Sequence, residues 1–371
     1  MNTYKSPLAM YPYSSPLLPV VNHFERLQEE YYIHKLISLP GLGLNGRDAS
    51  FACNHPEMNM VVTDSLEIKD LSWSTLLLTN LPGESPVKVA HILDVMGRTL
   101  SIGKSVIYCD ASRDDIPNKV WAIKEKYIDK LLIYFEDFTP SRGSIFTGTY
   151  NQINAPIVLV GGLVESGDSL EILLNLATHF TDHGIHPTVI TKHSIGQFFG
   201  FHTIKHILNQ PGVTESQKIE NLNMFIASLE LEEMSNVILV EAPDAVMRFS
   251  DSAPNGFGIL TYMLTQALRI DSFVCCVPFE LVDSQFLKML SRDFSIRLGS
   301  PIDAVHVSNV IVDSARVLET HKISYVHTAL DRVHKHIANK FNNPSIPLFD
   351  VVSNGGEDLF QFLCGLLNLQ L

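Results

Sequence analysis

Ala155-Pro156-Ile157-Val158-Leu159-Val160-Gly161-Gly162-Leu163-Val164-Glu165-Ser166-Gly167-Asp168-Ser169 decides how this chain is read. An apolar run meets a glycine turn, and the helical run Leu170 to Thr181 follows, which makes a strand–turn–helix unit. Gly162 to Ser169 fits G-x-x-x-x-G-[K]-[ST] at every fixed position except the lysine, where Asp168 stands. In such a turn the backbone N–H groups from Val164 to Ser169 would wrap phosphate oxygens, and the helix dipole adds to the attraction. Ser169 would set its hydroxyl on magnesium. The usual lysine holds the outer phosphates as a point charge. Asp168 reverses that charge, and two unit charges about 4 Å apart interact by about 4 kcal/mol at an effective dielectric of 20. An acid is also favoured in the first turn of a helix. The stretch therefore describes either a phosphate loop with a changed ligand or one that has lost it.

Two later segments favour the first reading. His186-Pro187-Thr188-Val189-Ile190-Thr191-Lys192 is a strand that ends on Lys192, a stand-in for the missing loop lysine. Asn236-Val237-Ile238-Leu239-Val240-Glu241 is four apolar residues followed by an acid, the strand end at which a carboxylate holds magnesium directly or through water. Loop, lysine strand and acidic strand come in the order that a P-loop domain requires. The candidate ligand contacts are Gly162, Glu165, Ser166, Gly167, Asp168, Ser169 and Lys192, with Ser169 and Glu241 for the metal. Beyond Glu241, strands are expected at Phe273 to Val277, Ala304 to Ser308, Ile323 to Val326 and Leu348 to Val352. Helices are expected at Gly258 to Arg269, Glu280 to Ser291, Asp313 to Thr320, Thr328 to Asn339 and Glu357 to Leu369.

The first half also alternates. Strands are expected at Leu8 to Tyr11, Ile33 to Ser38, Met60 to Val62, Thr75 to Thr79, Ser105 to Cys109 and Lys130 to Tyr134. Helices are expected at Val20 to Tyr32, Pro86 to Thr99 and Ile116 to Lys126. Such alternation indicates α/β architecture with a parallel sheet. Glu136 to Ala155 is rich in turn formers and reads as a linker. The expected layout is a Rossmann-like domain over 1–150 and a degenerate P-loop NTPase-like domain over 151–371. Gly41-Leu42-Gly43-Leu44-Asn45-Gly46 matches G-x-G-x-x-G, but it follows the second strand and no helix follows it, so it reads as a turn. Asp110, Asp114 and Asp115, behind the strand at Ser105, read as caps.

Composition narrows the function classes. The 371 residues carry a formal net charge of -13, with 46% hydrophobic and 18% charged residues. That suits a globular protein of two domains and argues against nucleic acid or an anionic membrane as partner. Five cysteines with no C-x-x-C make neither a disulfide framework nor a structural zinc site. No signal peptide opens the chain and no apolar run reaches a membrane span, so the expectation is cytoplasmic. His179, His183 and His186, and His202 with His206, have helical spacing but no accompanying carboxylate motif. The apolar tail Leu359 to Leu369 suits core packing or a homo-oligomer interface.

Family resemblances follow from these residues. Tyr11-Pro12-Tyr13-Ser14-Ser15-Pro16, Gly161 to Ser169 and Val237 to Asp244 together resemble a family of peptide maturation system proteins. Those are encoded beside radical-SAM enzymes in clusters for ribosomally made peptides. The resemblance implies a precursor peptide, a radical-SAM enzyme or an acyl-carrier-like protein as partner. The two-domain layout is similar to the D-glutamate N-acetyltransferase family, whose P-loop keeps its lysine. Val240-Glu241-Ala242-Pro243 is similar to the V-E-G-A strand end of dethiobiotin synthetase-like enzymes, where the acid serves magnesium. The leading expectation is an accessory protein of peptide maturation that binds ATP or GTP with Mg2+ on the degenerate loop. The alternatives are an acyltransferase using coenzyme A or a carrier-bound acyl group, and a non-catalytic scaffold.

Overall fold

A computed structural model describes residues 5–79, 86–138, 150–340 and 345–369. The middle of the expected linker lies outside them. The chain is an α/β protein with two parallel six-stranded sheets. It divides into two compact units. The first holds Met1–Ala52, Pro56–Phe138 and His193–His206, and the second holds Cys53–His55, Thr139–Lys192 and Ile207–Leu371. Each unit thus includes a short piece from the other's half of the sequence.

The first unit contains β1 (Ser6–Tyr13), β2 (Tyr31–Ser38), β3 (Val62–Thr63), β4 (Thr75–Leu78), β5 (Ser105–Ser112) and β6 (Leu131–Glu136). Their order is β3-β2-β1-β4-β5-β6, the doubly wound arrangement of a Rossmann sheet. The first helix is Leu18–Leu27, shorter than its apolar spacing predicts. Tyr31 and Tyr32 instead pair with Ser6 and Pro7 in β2, where aromatic residues fit a pleated surface. Ser194–Phe199 forms a 3-10 helix, and Phe198 packs on Phe24, Tyr31 and Tyr134 with ring centroids 5.7–6.1 Å apart. The glycines at 41, 43 and 46 form a turn after β2, and only the 3-10 turn Phe51–Cys53, no α-helix, follows before β3. The expected aspartate caps are absent. The helix Asn118–Lys126 starts on Pro117 with no side-chain cap, while Asp110 accepts from the Tyr108 hydroxyl at 2.8 Å and the Ala111 N–H at 2.8 Å.

The second unit contains β7 (Ile157–Gly162), β8 (Pro187–Ile190), β9 (Val237–Glu241), β10 (Ser272–Pro278), β11 (Ala304–Ser308), β12 (Val310–Val312), β13 (Tyr325–His327) and β14 (Leu348–Phe349). Six of them run β14-β11-β10-β7-β9-β8, and β12 pairs antiparallel with β13. Strands β7, β9, β10 and β11 are buried along their whole length, as central parallel strands with both faces covered should be. From β7 the chain goes to one flank through β8 and β9, then crosses to β10 on the other. Strand order therefore reverses at β7, the place where such sheets open a ligand crevice.

One long helix escapes the periodicity argument. Glu215–Glu233 buries Glu220, Asn221, Asn223 and Glu230, so its apolar residues do not form a single clean stripe. Its polar groups hold backbone instead. Glu230 accepts from the N–H groups of Asn154 and Ala155 at 2.7 Å each, fixing the entry to β7. Thr214 and Gln217 form a capping box at its start, and T-x-x-Q was the sequence signal for it.

Candidate functional site

The loop grows out of close packing. A Cβ on Gly161 would lie 2.8 Å from both Ala242 Cβ and Val246 Cγ1, so only glycine lets β7 pass the chain that leaves β9. Gly162 ends the strand beside Cys276, and its carbonyl accepts from Val246 N–H at 3.1 Å. Gly167 has φ 94°, a left-handed conformation that turns the chain into the helix Asp168–Asp182. The helix packs on β7, β8 and β9. Not every loop amide faces outward, because Ser166 N–H donates to the Val164 carbonyl at 3.1 Å.

Register brings the expected acid to the loop. Val160 pairs with Glu241 across β7 and β9, so Glu241 stands at the root of the glycine turn. Its side chain is fully buried. One carboxylate oxygen accepts from Ser169 Oγ at 2.8 Å, and the other from Thr191 Oγ1 at 2.6 Å and from Lys192 N–H at 3.3 Å. Lys192 Nζ lies 3.6 Å from Glu241 Oε1 and 3.7 Å from Glu165 Oε2. The structure thus gathers Glu165, Ser169, Lys192 and Glu241 at one rim. A hydroxyl and a carboxylate on adjoining elements are hard oxygen donors that fit Mg2+. Thr191 was missed in the sequence, although its place before Lys192 at a strand end was the signal.

Asp168 is turned the other way. It is 4% exposed and accepts from Ser166 Oγ at 2.7 Å. Burial works against its charge, but the nearby His306 imidazole, the Ser308 and Ser166 hydroxyls and His327 together hold its pKa below the ordinary value. The anion is therefore engaged inside the fold, by groups on β11 and β13. Histidines on these strands were not singled out in the sequence, because nothing local ties 306 and 327 to 168.

The same cluster includes Cys53, whose thiol is pushed up to about 12 by burial and by Asp168 and Glu171, which makes it a poor nucleophile. His55 is held below its usual pKa, mainly by burial. A cleft of about 360 Å³ opens beside the loop, lined by Glu165, Pro254, Asn255, His321, Lys322 and Tyr325. Asn255 Nδ2 donates to the Leu163 carbonyl at 3.2 Å, and Tyr325 OH to the Glu165 carbonyl at 3.2 Å. A larger cleft of about 540 Å³, lined by Met247, Phe257, Phe286 and Met289, contains no loop residue.

Three of the histidines with helical spacing make other contacts. His179 and His183 stack on Phe360, with centroids 5.5 and 4.6 Å away, and His202 pairs with Glu136 at 3.0 Å. None of the five cysteines forms a disulfide, and all five are buried. No helix among the described residues is long and apolar enough to cross a membrane.

Comparison with known proteins adds a fold. No protein-family model matches the chain, and no curated protein does, so neither lends support to the resemblance to peptide maturation proteins. A DUF1611 family protein from Anabaena variabilis, known from its crystal structure, matches with a TM-score of 0.63 at 12% identity, over 97% of this chain and 100% of that one. The likeness is one of fold. It spans both units. An apo GTPase from Pyrococcus abyssi matches at TM-score 0.29 and 16% identity, over 57% of this chain and 82% of that one. A nucleotide-binding protein from Archaeoglobus fulgidus, in complex with ADP, matches at TM-score 0.26 and 9% identity, over 58% and 89%. Those two likenesses are too weak to carry an argument.

Proposed function

We propose that the second unit binds a nucleoside triphosphate, ATP or GTP with Mg2+, on the loop Gly161 to Ser169. One observation carries the reading. Ser169 and Glu241 meet at 2.8 Å at the root of the glycine turn, so the two groups that would hold Mg2+ are already paired. Magnesium would enter between them, directly or through water, and neutralise the charge of the phosphates. The Lys192 ammonium, within 3.7 Å of the loop acid Glu165, supplies the cation that the motif lacks. Asp168 is engaged by Ser166, Ser308 and the His306 and His327 rings, which offset part of its charge. Within peptide maturation, the role implied by the sequence resemblance, the ligand would drive or gate a step on a precursor peptide or a partner enzyme.

Calorimetry with ATP, GTP and acetyl-coenzyme A, with and without Mg2+, tests this. Expected is magnesium-dependent nucleotide binding that weakens at least about tenfold, about 1.4 kcal/mol, in Ser169→Ala. Lys192→Ala should weaken it also. Binding of acetyl-coenzyme A alone would favour acyl transfer. Binding of none of the three would leave a scaffold.

A further inference from the structure

The larger cleft, of about 540 Å³, is built from a turn and a helix of the second unit. The turn is Asn255-Gly256-Phe257-Gly258, and all four residues have positive φ, between 48° and 70°. Glycine is required at 258, where a Cβ would lie 2.5 Å from the Val246 carbonyl oxygen. Asp244 fixes the chain that follows. Its carboxylate accepts from the Leu260 and Thr261 N–H groups at 3.2 and 2.9 Å and from Thr261 Oγ1 at 2.6 Å, at the start of the helix Ile259–Ala267. For Phe257 this backbone is unfavourable, because a Cβ crowds the carbonyl in the left-handed region. Yet its ring is 53% exposed, so the chain carries the strain without burying the ring. Strain of this kind gathers at ligand clamps and switch regions.

The other wall is the helix Ser284–Arg297, which has two apolar stripes. Leu287, Leu290 and Phe294, at i, i+3 and i+7, are buried. Phe286, Met289 and Ile296 follow another side, and there Met289 is 62% and Ile296 76% exposed. Helical spacing sets Arg297 along one border of this outer stripe and Lys288 and Arg292 along the other. The helix thus carries three bases and one acid, Asp293, in a chain of net charge -13. Arg248 adds a base from the turn side of the cleft. The arginines are loosely held. Arg248 pairs with Asp251 at 2.9 Å and Arg297 with Asp293 at 3.3 Å, both at the surface, where such pairs contribute little and exchange readily.

We infer that this groove docks an acidic amphipathic helix of a partner protein, its apolar side on Phe257, Phe286 and Met289 and its carboxylates on Arg248, Arg292 and Arg297. A small ligand is mostly enclosed by its pocket, whereas here the apolar walls stand more than half in solvent. The wall from Phe286 to Arg297 is about 17 Å long at about 1.5 Å per residue, room for about three turns of a helix laid alongside. Charge selects the occupant. A second copy of this chain would bring a second net charge of -13, and the same net charge opposes an anionic membrane. The groove contains no loop residue, so the inference stands apart from nucleotide binding.

Fluorescence anisotropy on the full chain tests this. The probes are two fluorescein-labelled helical peptides with leucine at i, i+3, i+4 and i+7 and either glutamate or lysine at the other positions. The glutamate peptide should bind with a Kd on the order of micromolar, and the lysine peptide at least about tenfold more weakly. Affinity for the glutamate peptide should fall about tenfold in Met289→Ser and in Arg292→Glu, and should decline as salt is added. Phe257→Gly separates docking from folding. Glycine accepts the left-handed backbone, so the midpoint in urea should hold while peptide affinity falls about tenfold. Equal binding of the two peptides, or no saturation below about 1 mM, overturns the inference. Unchanged affinity in all three variants overturns the placement. A dimer in sedimentation that Met289→Ser dissociates gives the face to a second copy, and binding to phosphatidylglycerol vesicles without binding to the glutamate peptide gives it to a membrane; either result overturns the partner helix.

Discussion

The two sheets invite comparison because they share a plan and differ at one turn. Both are six-stranded and parallel, and in both the strand order reverses at the first strand of the unit. After β1 comes Ser14-Ser15-Pro16, with no glycine and no acidic strand beside it. After β7 comes a glycine turn that packs against β9 and β10 and meets a buried glutamate. In the first unit Phe198 gathers aromatic rings, whereas in the second the turn meets a polar network built on the buried Glu241. A parallel sheet provides a crevice, but the chemistry in it comes from side chains that neighbouring strands deliver. In the second unit those arrive from β8, β9, β11 and β13.

The comparison can be tested because both tryptophans, Trp73 and Trp121, belong to the first unit. Their fluorescence follows that unit alone, while circular dichroism follows both. The largest effect should come from restoring the motif. Asp168→Lys would put an ammonium into a buried site beside His306, and should cost the second unit about 4 kcal/mol or more. A stable variant with tightened nucleotide binding would break the view that this position faces inward. Glu241→Ala removes the acceptor of the Ser169 and Thr191 hydroxyls and one of the two carboxylates beside Lys192, for about 3 kcal/mol. Urea melts by circular dichroism should lose a transition at lower denaturant while tryptophan fluorescence keeps its midpoint.

Acid should act next. His55 and His327 have folded pKa values below the unfolded value, so their contribution is complete above about pH 6.5 and is lost as pH falls through the folded values. Each proton taken up on unfolding adds a slope of about 1.4 kcal/mol per pH unit. Asp168 works in the same sense at lower pH, and Asp244, raised by burial, works against it there. Denaturation midpoints between pH 7 and 5 should decline in the wild type and flatten in His55→Gln. A wild-type profile that is flat over this range would contradict the burial of these rings. The smallest effect belongs to the first unit, where Tyr108→Phe removes the hydroxyl that Asp110 accepts, for about 1 kcal/mol read by fluorescence.

Much of this was legible in the residues. Apolar runs bounded by turns located β7, β9, β10 and β11 within a residue or two, because central parallel strands are short and continuously apolar. Parallel strand ends share a rim, so Lys192 and Glu241 could be brought to the loop by order alone. The orientation of Asp168 could not. Its partners on β11 and β13 lie 138 and more positions away, and only tertiary packing decides which way a side chain leaves a loop. Val310–Val312 escaped notice because it is three residues long, and Leu348–Phe349 was expected longer because Val351 begins a short helix capped by Asp350. The helix Glu215–Glu233 was hidden by its buried polar face.

The distance along the chain between the loop and its supports has a consequence during synthesis. Ser169 meets Glu241 across 72 positions, and the entry to β7 is held by Glu230 from 75 and 76 positions onward. At ribosomal speeds of about 5–20 residues per second, the glycine turn leaves the ribosome roughly 4–14 s before its carboxylate does. Through that interval β7 has neither β9 nor β10 beside it, and its apolar edge is open. The glycine loop is therefore among the first parts of the second unit to be made and among the last to be completed.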